Sequence, residues 1–186
     1  MPLLALIILS PFALADGNIS VNGTNIAPTL INTRTPTGML NLSINLTGGV
    51  GTNITAINIT IAGNSTPANI SAIEVRNSTG HVIGSNNTNF SSSQFSIYFG
   101  TYLEITRATN KTIQIVFNIS NIARSATTVS ANITNTSFTS VGTTDNITFD
   151  ATSYQTTSSE IRNAHANISL TPHAVDTSTI NQTIRF

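Results

Sequence analysis

Leu40-Asn41-Leu42-Ser43-Ile44-Asn45-Leu46 alternates apolar and polar side chains without a break. Successive residues of a β-strand point to opposite faces, so this period of two puts the aliphatic side chains on one face and Asn, Ser and Asn on the other. The stretch predicts a half-buried strand and is the template for the rest of the chain. Ile113-Gln114-Ile115-Val116-Phe117-Asn118-Ile119 repeats it with Val116 on the far face. Phe95, Ile97 and Phe99 alternate with Ser96 and Tyr98; Val129, Ala131 and Ile133 form another set, as do Ile147 with Phe149, and Ile180 with Ile184 and Phe186. Shorter candidates lie at Ile73–Val75, Val82–Ile83, Leu103–Ile105 and Ala166–Leu170. Within Asn53–Ile61, Ile54 and Ala56 give way to Ile57, Ile59 and Ile61, a phase slip that predicts a bulge.

Turn residues fall between these stretches: Thr35-Pro36-Thr37-Gly38, Gly48-Gly49, Gly63 to Pro67, Gly84 to Asn89, Val141-Gly142 and Thr171-Pro172. Only Thr157–Ala166 has some helical character. About ten strands at this spacing predict an all-β domain, an antiparallel β-sandwich of immunoglobulin-like or jelly-roll type. The 186 residues suit one domain, 18–186, behind an apolar tail, 1–17.

Charge is scarce. Only 8% of residues are Asp, Glu, Lys or Arg, and the net charge is zero, so nothing marks a nucleic-acid partner or an anionic membrane surface. Surface polarity comes from neutral groups: Ser, Thr and Asn together make up 75 of 186 residues. A surface of this kind lacks charge repulsion to keep it dispersed and needs another hydrating layer. The chain has no Cys, which excludes a disulfide framework, a thiol nucleophile and a thiolate metal site.

The hydrating layer is written in the asparagines. The N-glycosylation acceptor Asn-x-Ser/Thr begins at Asn18, Asn22, Asn41, Asn45, Asn53, Asn58, Asn64, Asn69, Asn77, Asn86, Asn89, Asn110, Asn118, Asn132, Asn135, Asn146, Asn167 and Asn181, which is 18 of 23 asparagines. Chance pairing with the abundant hydroxyl residues gives about 6, so the excess is threefold. Eight sites read Asn-Ile-Ser/Thr: Asn18, Asn53, Asn58, Asn69, Asn118, Asn132, Asn146 and Asn167. In a strand this triplet sends Asn and the hydroxyl residue outward together and Ile into the core. The expected product is an extracellular protein with N-linked glycans standing on its sheet faces as well as its loops.

Residues 1–15 are the most apolar part of the chain. One reading is a secretory signal peptide, with Ala13-Leu14-Ala15 as the cleavage site before Asp16, although no Lys or Arg precedes the apolar run. The other is a strand formed by Leu3, Leu4, Ala5, Leu6, Ile7, Ile8 and Leu9. Seven consecutive apolar residues suit a strand buried on both faces, and nothing nearby offers a hairpin partner. A second copy of the chain then receives it, as an added strand. The run is too short for a comfortable membrane span, and no stable span is expected in the mature form.

The Leu3–Leu9 segment, the sequon array and the absence of Cys together resemble the archaeal surface filaments called threads, and more loosely the archaeal bundling pili and camelysin-like filament subunits. The resemblance concerns the architecture of the whole chain, without a diagnostic residue motif. It implies β-sandwich subunits joined head to tail by donor-strand complementation into a homopolymer. The implied role is adhesion, cell–cell contact or biofilm structure. No long N-terminal helix of the type IV pilin kind is present in the pattern.

Catalytic and metal-binding constellations are sparse. His81, His165 and His173 are the only imidazoles, and no carboxylate stands at ligand spacing from them. Asp145 and Asp150 flank Asn146–Phe149 without the density of oxygen ligands a calcium loop needs. Glu74 and Glu104 could be imagined as a glycosidase pair, but each has an arginine close by, Arg76 and Arg107, as the simpler partner. Ser and Thr are too abundant to single out a nucleophile. No enzyme, cofactor or metal is expected. The expectation is a structural surface glycoprotein: a filament subunit with Leu3–Leu9 as donor strand, or a monomeric or lattice-associated glycoprotein with residues 1–15 removed.

Overall fold

Alternation fixes where the strands lie, and burial follows it residue by residue. The computed structural model describes residues 18–49, 51–88, 92–107, 110–123, 125–140, 146–149 and 153–162. These form β1 (Asn18–Asn25), β2 (Leu30–Asn32), β3 (Pro36–Gly48), β4 (Gly51–Ala62), β5 (Ile70–Asn77), β6 (Val82–Asn86), β7 (Gln94–Thr106), β8 (Lys111–Ile119), β9 (Thr128–Thr134), β10 (Phe138–Ser140), β11 (Asn146–Phe149), β12 (Ser153–Gln155) and β13 (Ser159–Arg162). Strand accounts for 71% of the described residues, and their only helices are single 3-10 turns at Pro67–Asn69 and Asn135–Ser137. The protein is all-β.

The opening heptad lies in β3, where Leu40, Leu42 and Ile44 are buried and Asn41, Ser43 and Asn45 face partly outward. Pro36 begins that strand, the position where its missing N–H costs no ladder bond. In β8, Ile113, Ile115, Phe117 and Ile119 are buried as expected, and Val116 is buried on the opposite face. The predicted bulge is present in β4: against β10 the register shifts between Ala56 and Ile54 with the extra residue on β4, and Ala56 and Ile57 are buried in succession, while against β7 the unpaired residues at this point, Phe99 to Tyr102, belong to β7.

The strands follow one hydrogen-bonded path, β11-β1-β3-β8-β5-β6-β7-β4-β9-β13-β2, with β10 added on β4 and β12 on β9. The path curls into a half-barrel, and its two halves share one core. The expected sandwich is corrected on two counts. The halves are not two separate sheets, because Gly84 of β6 pairs with Phe99 of β7 and keeps the path continuous. Nor is the sheet wholly antiparallel: β11 runs parallel to β1 and β2 parallel to β13. The first half reaches the second through the glycine corner 48–51, where Gly49 has φ 83°. Gly63 has φ 109°, and a Cβ there would overlap the Thr128 carbonyl, so that turn requires glycine.

Core side chains come from both halves: Leu42, Ile44, Ile113 and Phe117 from one, Ile57, Ile59, Ile97 and Ile133 from the other. Opposite the β6–β7 link, Tyr154 of β12 donates its hydroxyl to the Val21 carbonyl of β1 at 3.2 Å, its ring lying against Gly23. The Thr157–Ala166 segment is extended at its start, forming β13, where Ile161 is buried and paired beside Ile31. The expected strands at Ala166–Leu170 and Ile180–Phe186 lie outside the described residues, as does the apolar tail 1–17.

Candidate functional site

The strand phase places the sequons. Of the eighteen, eleven sit in strands: Asn18 and Asn22 in β1, Asn41 and Asn45 in β3, Asn53 and Asn58 in β4, Asn77 in β5, Asn86 in β6, Asn118 in β8, Asn132 in β9 and Asn146 in β11. Asn64 and Asn110 are exposed outside strands, Asn69 and Asn135 lie in the 3-10 turns, and Asn89, Asn167 and Asn181 fall outside the described residues. In the seven described Asn-Ile-Ser/Thr triplets the isoleucine turns inward. Ile19, Ile54, Ile59, Ile70, Ile119 and Ile133 are at most 2% exposed, and Ile147 packs partly buried against the core. Asn18, Asn58 and Asn146 are exposed, and Asn53, Asn118 and Asn132 are half-buried.

How each amide is held matters, because an N-linked sugar attaches at Nδ2 and leaves Oδ1 as an acceptor. Asn77 Oδ1 accepts from Thr79 N at 3.0 Å, Thr79 Oγ1 at 2.7 Å and His81 N at 2.9 Å, which shapes the β5–β6 hairpin. Asn64 Oδ1 accepts from Thr128 N at 2.6 Å and Thr128 Oγ1 at 3.0 Å. Asn41 and Asn110 likewise engage through Oδ1, with Gln114 Nε2 at 3.2 Å and Ser43 Oγ at 2.9 Å. These bonds use the atom that a sugar linkage does not touch.

At Asn86, Asn118 and Asn69 it is Nδ2 itself that is engaged. Asn86 donates to the Ser96 carbonyl at 3.2 Å, Asn118 to Glu74 Oε1 at 2.8 Å and Asn69 to Ser65 Oγ at 3.0 Å. Asn69 is also buried, at 7% exposure, so a sugar there requires the Pro67–Asn69 turn to open. Asn132 is different again. Its Oδ1 is enclosed without a hydrogen-bond partner, beside an open hollow of about 610 Å³ lined by polar neutral side chains including Asn58, Gln94 and Ser96.

Among the strands longer than four residues, one stands apart. β7 spans thirteen residues and contains no asparagine, so the interval between the sequons at Asn89 and Asn110 leaves it bare. That gap is legible in the sequence, but the array of acceptors draws attention away from it. β7 carries Tyr98 at 74% and Tyr102 at 55% exposure.

Glu74 and Glu104 have different surroundings. Glu74 is bound to Arg76 at 2.6 Å and to the Asn118 amide, while Glu104 lies exposed on β7 opposite Asn53. Arg107 does not pair with Glu104; its Nε donates to the Gly49 carbonyl at 2.9 Å and braces the glycine corner. The second ion pair, Glu160–Arg162, is at 3.4 Å on β13. His81 is exposed, and His165, His173, Asp145 and Asp150 lie outside the described residues. Among the described residues no three His, Cys, Asp or Glu cluster as a metal site, and no helix is long and apolar enough to cross a membrane. No protein-family model and no curated protein matches this chain.

Proposed function

We propose that this chain is the repeating subunit of an extracellular, densely N-glycosylated surface filament, joined head to tail by donation of Leu3–Leu9 to the next copy, and serving in adhesion, cell–cell contact or biofilm. The observation that carries it is the phase of the sequons: Asn-Ile-Ser/Thr triplets turn their isoleucines into the core and leave six of seven asparagines exposed or half-buried, on β1, β4, β8, β9 and β11. A glycan coat so arranged supplies the hydration that the missing charge does not. It also confines protein contacts to bare surfaces, and the apolar tail supplies a way to make them. The role is mechanical, with no catalysis. A strand held by continuous backbone hydrogen bonds and buried Leu and Ile side chains dissociates slowly enough to bear load.

Ala13-Leu14-Ala15 supports a second reading, a monomeric or lattice-associated glycoprotein lacking residues 1–15. Deletion of Leu3–Leu9 in the producing cell separates the two. Electron microscopy should show loss of filaments with the head domain still secreted and glycosylated. Filaments of normal length from the deleted chain, or a mature terminus at Asp16 by N-terminal sequencing, would overturn donor-strand assembly.

A further inference from the structure

The two sides of β7 are unequally paired. Toward β4 it makes nine residue pairs, from Thr60↔Gln94 to Gly51↔Thr106. Toward β6 it makes one, Gly84↔Phe99. Past Phe99, residues Gly100 to Ile105 have no ladder partner on the β6 side among the described residues, and Gly100, Thr101 and Tyr102 have none on the β4 side either. Extending the single pair's antiparallel register puts Val82, the first residue of β6, opposite Thr101, so β7 outruns β6 beyond that point.

Apolar groups collect along this seam. Of the five large hydrophobic residues exposed among those described, Val82, Tyr98 and Tyr102 border it. Ile83, Phe99 and Leu103 pack against the core but are only partly covered. A Cβ at Gly100 would meet nothing within 4 Å. An exposed edge of this kind is a template for strand addition, and proteins that do not use one usually blunt it with charge, proline or a covering loop. Here the described edge offers a single charge, Glu104, and no sequon in a molecule otherwise dense with them. β7 itself carries no acceptor, the adjacent one being Asn53 on β4 opposite Glu104, and a strand that displays two tyrosines in this way has the character of a protein contact.

We infer that the Tyr102 to Ile105 edge of β7 is the acceptor for Leu3–Leu9 of a neighbouring copy, which enters the β6–β7 seam and covers Phe99, Leu103 and Ile83. This rests on the donor-strand reading above and adds the place of docking. Gly100 and Thr101 lie level with Ile83 and Val82, so the free edge is Tyr102 to Ile105, about 13 Å, within the reach of seven extended residues that span about 23 Å. The occupant is apolar throughout, as a strand lying over a partly covered core must be on its inner face.

The chain's lack of cysteine permits a clean test. Cysteine is placed at each of Leu3–Leu9 in turn, together with Tyr102→Cys, and assembled filaments are oxidised and run on non-reducing gels. Adjacent strands bring Cα atoms within disulfide range, so at least one pairing should give a ladder of linked subunits. The control replaces Tyr102→Cys with Thr24→Cys on β1. Ladders through position 24 and none through 102 overturn the β7 assignment but leave donor-strand assembly standing. A disulfide closed within one chain overturns docking between copies. Filaments that survive deletion of Leu3–Leu9 overturn the parent reading itself. A second variant needs no oxidation: Glu104→Asn writes Asn-Ile-Thr into β7. Glycosylated Glu104→Asn protein should fold and be secreted yet form at least tenfold fewer filaments, whereas Glu104→Gln should assemble normally. Normal assembly of the glycosylated variant overturns the assignment.

Discussion

The two edges of β7 differ more than any two neighbouring regions of the molecule. On one side Ile97 lies beside Ile57, both fully buried, within a ladder that runs nearly the length of both strands. On the other side a single ladder pair joins Gly84 to Phe99, Asn86 donates to the Ser96 carbonyl, and past Thr101 the strand has no ladder partner among the described residues. The same thirteen residues therefore serve as interior on one flank and as boundary on the other. Side-chain alternation governs which face is buried; it carries no information about which edge is paired. Edge pairing is decided by residues far away in sequence, and assembly can exploit the edge that folding leaves open.

This contrast can be broken or sharpened by substitution. The largest effect belongs to the closed flank: Ile97→Ala removes a fully buried side chain between β4 and the facing core and should cost about 3 kcal/mol, read from the shift of a denaturant midpoint. A cost under about 1 kcal/mol would mean that flank is less tightly packed than described. The bridging pair should respond less. A Cβ on Gly84 would lie 2.8 Å from the Tyr98 carbonyl oxygen and 2.9 Å from the Phe99 ring, so Gly84→Ala should cost about 1–2 kcal/mol. It should also speed amide exchange at β6 without touching β4. The open flank should respond least. Gly100→Ala and Tyr102→Ser should each change monomer stability by no more than about 0.5 kcal/mol, because nothing packs where the new Cβ would sit and the tyrosine is mostly exposed. If the open flank were as structural as the closed one, these last two would rank with Ile97→Ala.

Much of the fold was legible in the sequence for a physical reason. β3, β7, β8 and β9 bury their aliphatic and aromatic residues mainly at alternate positions, so period two survives in them, and even the β4 bulge showed as a slip between Ala56 and Ile57. β1 was harder to read because Asn18–Asn25 holds only two core residues, Ile19 and Val21, among polar ones and a glycine. β2, β10 and β12 are three residues each, too short for a period to repeat. Strand order was not legible at all. β1 chooses β3 and β11 through pairings of Ile19 with Leu46 and with Ile147, and nothing local to Ile19 encodes those distances. The same holds for the sequons. Their outward phase was readable from Asn-Ile-Thr, whereas the burial of Asn69 depends on a turn that packs it against Ser65.

Both ion pairs described above, Glu74–Arg76 and Glu160–Arg162, join residues two apart on a single strand. Neither ties one strand to another, so among the described residues the strands are joined mainly by apolar packing and neutral hydrogen bonds, with the Asn118 bond to the Glu74 carboxylate linking β8 to β5. Dissolved ions weaken attraction between opposite charges, and neither ion pair gives them a target between strands. Cohesion between the strands is therefore little exposed to brine, which would loosen a domain knit by ion pairs.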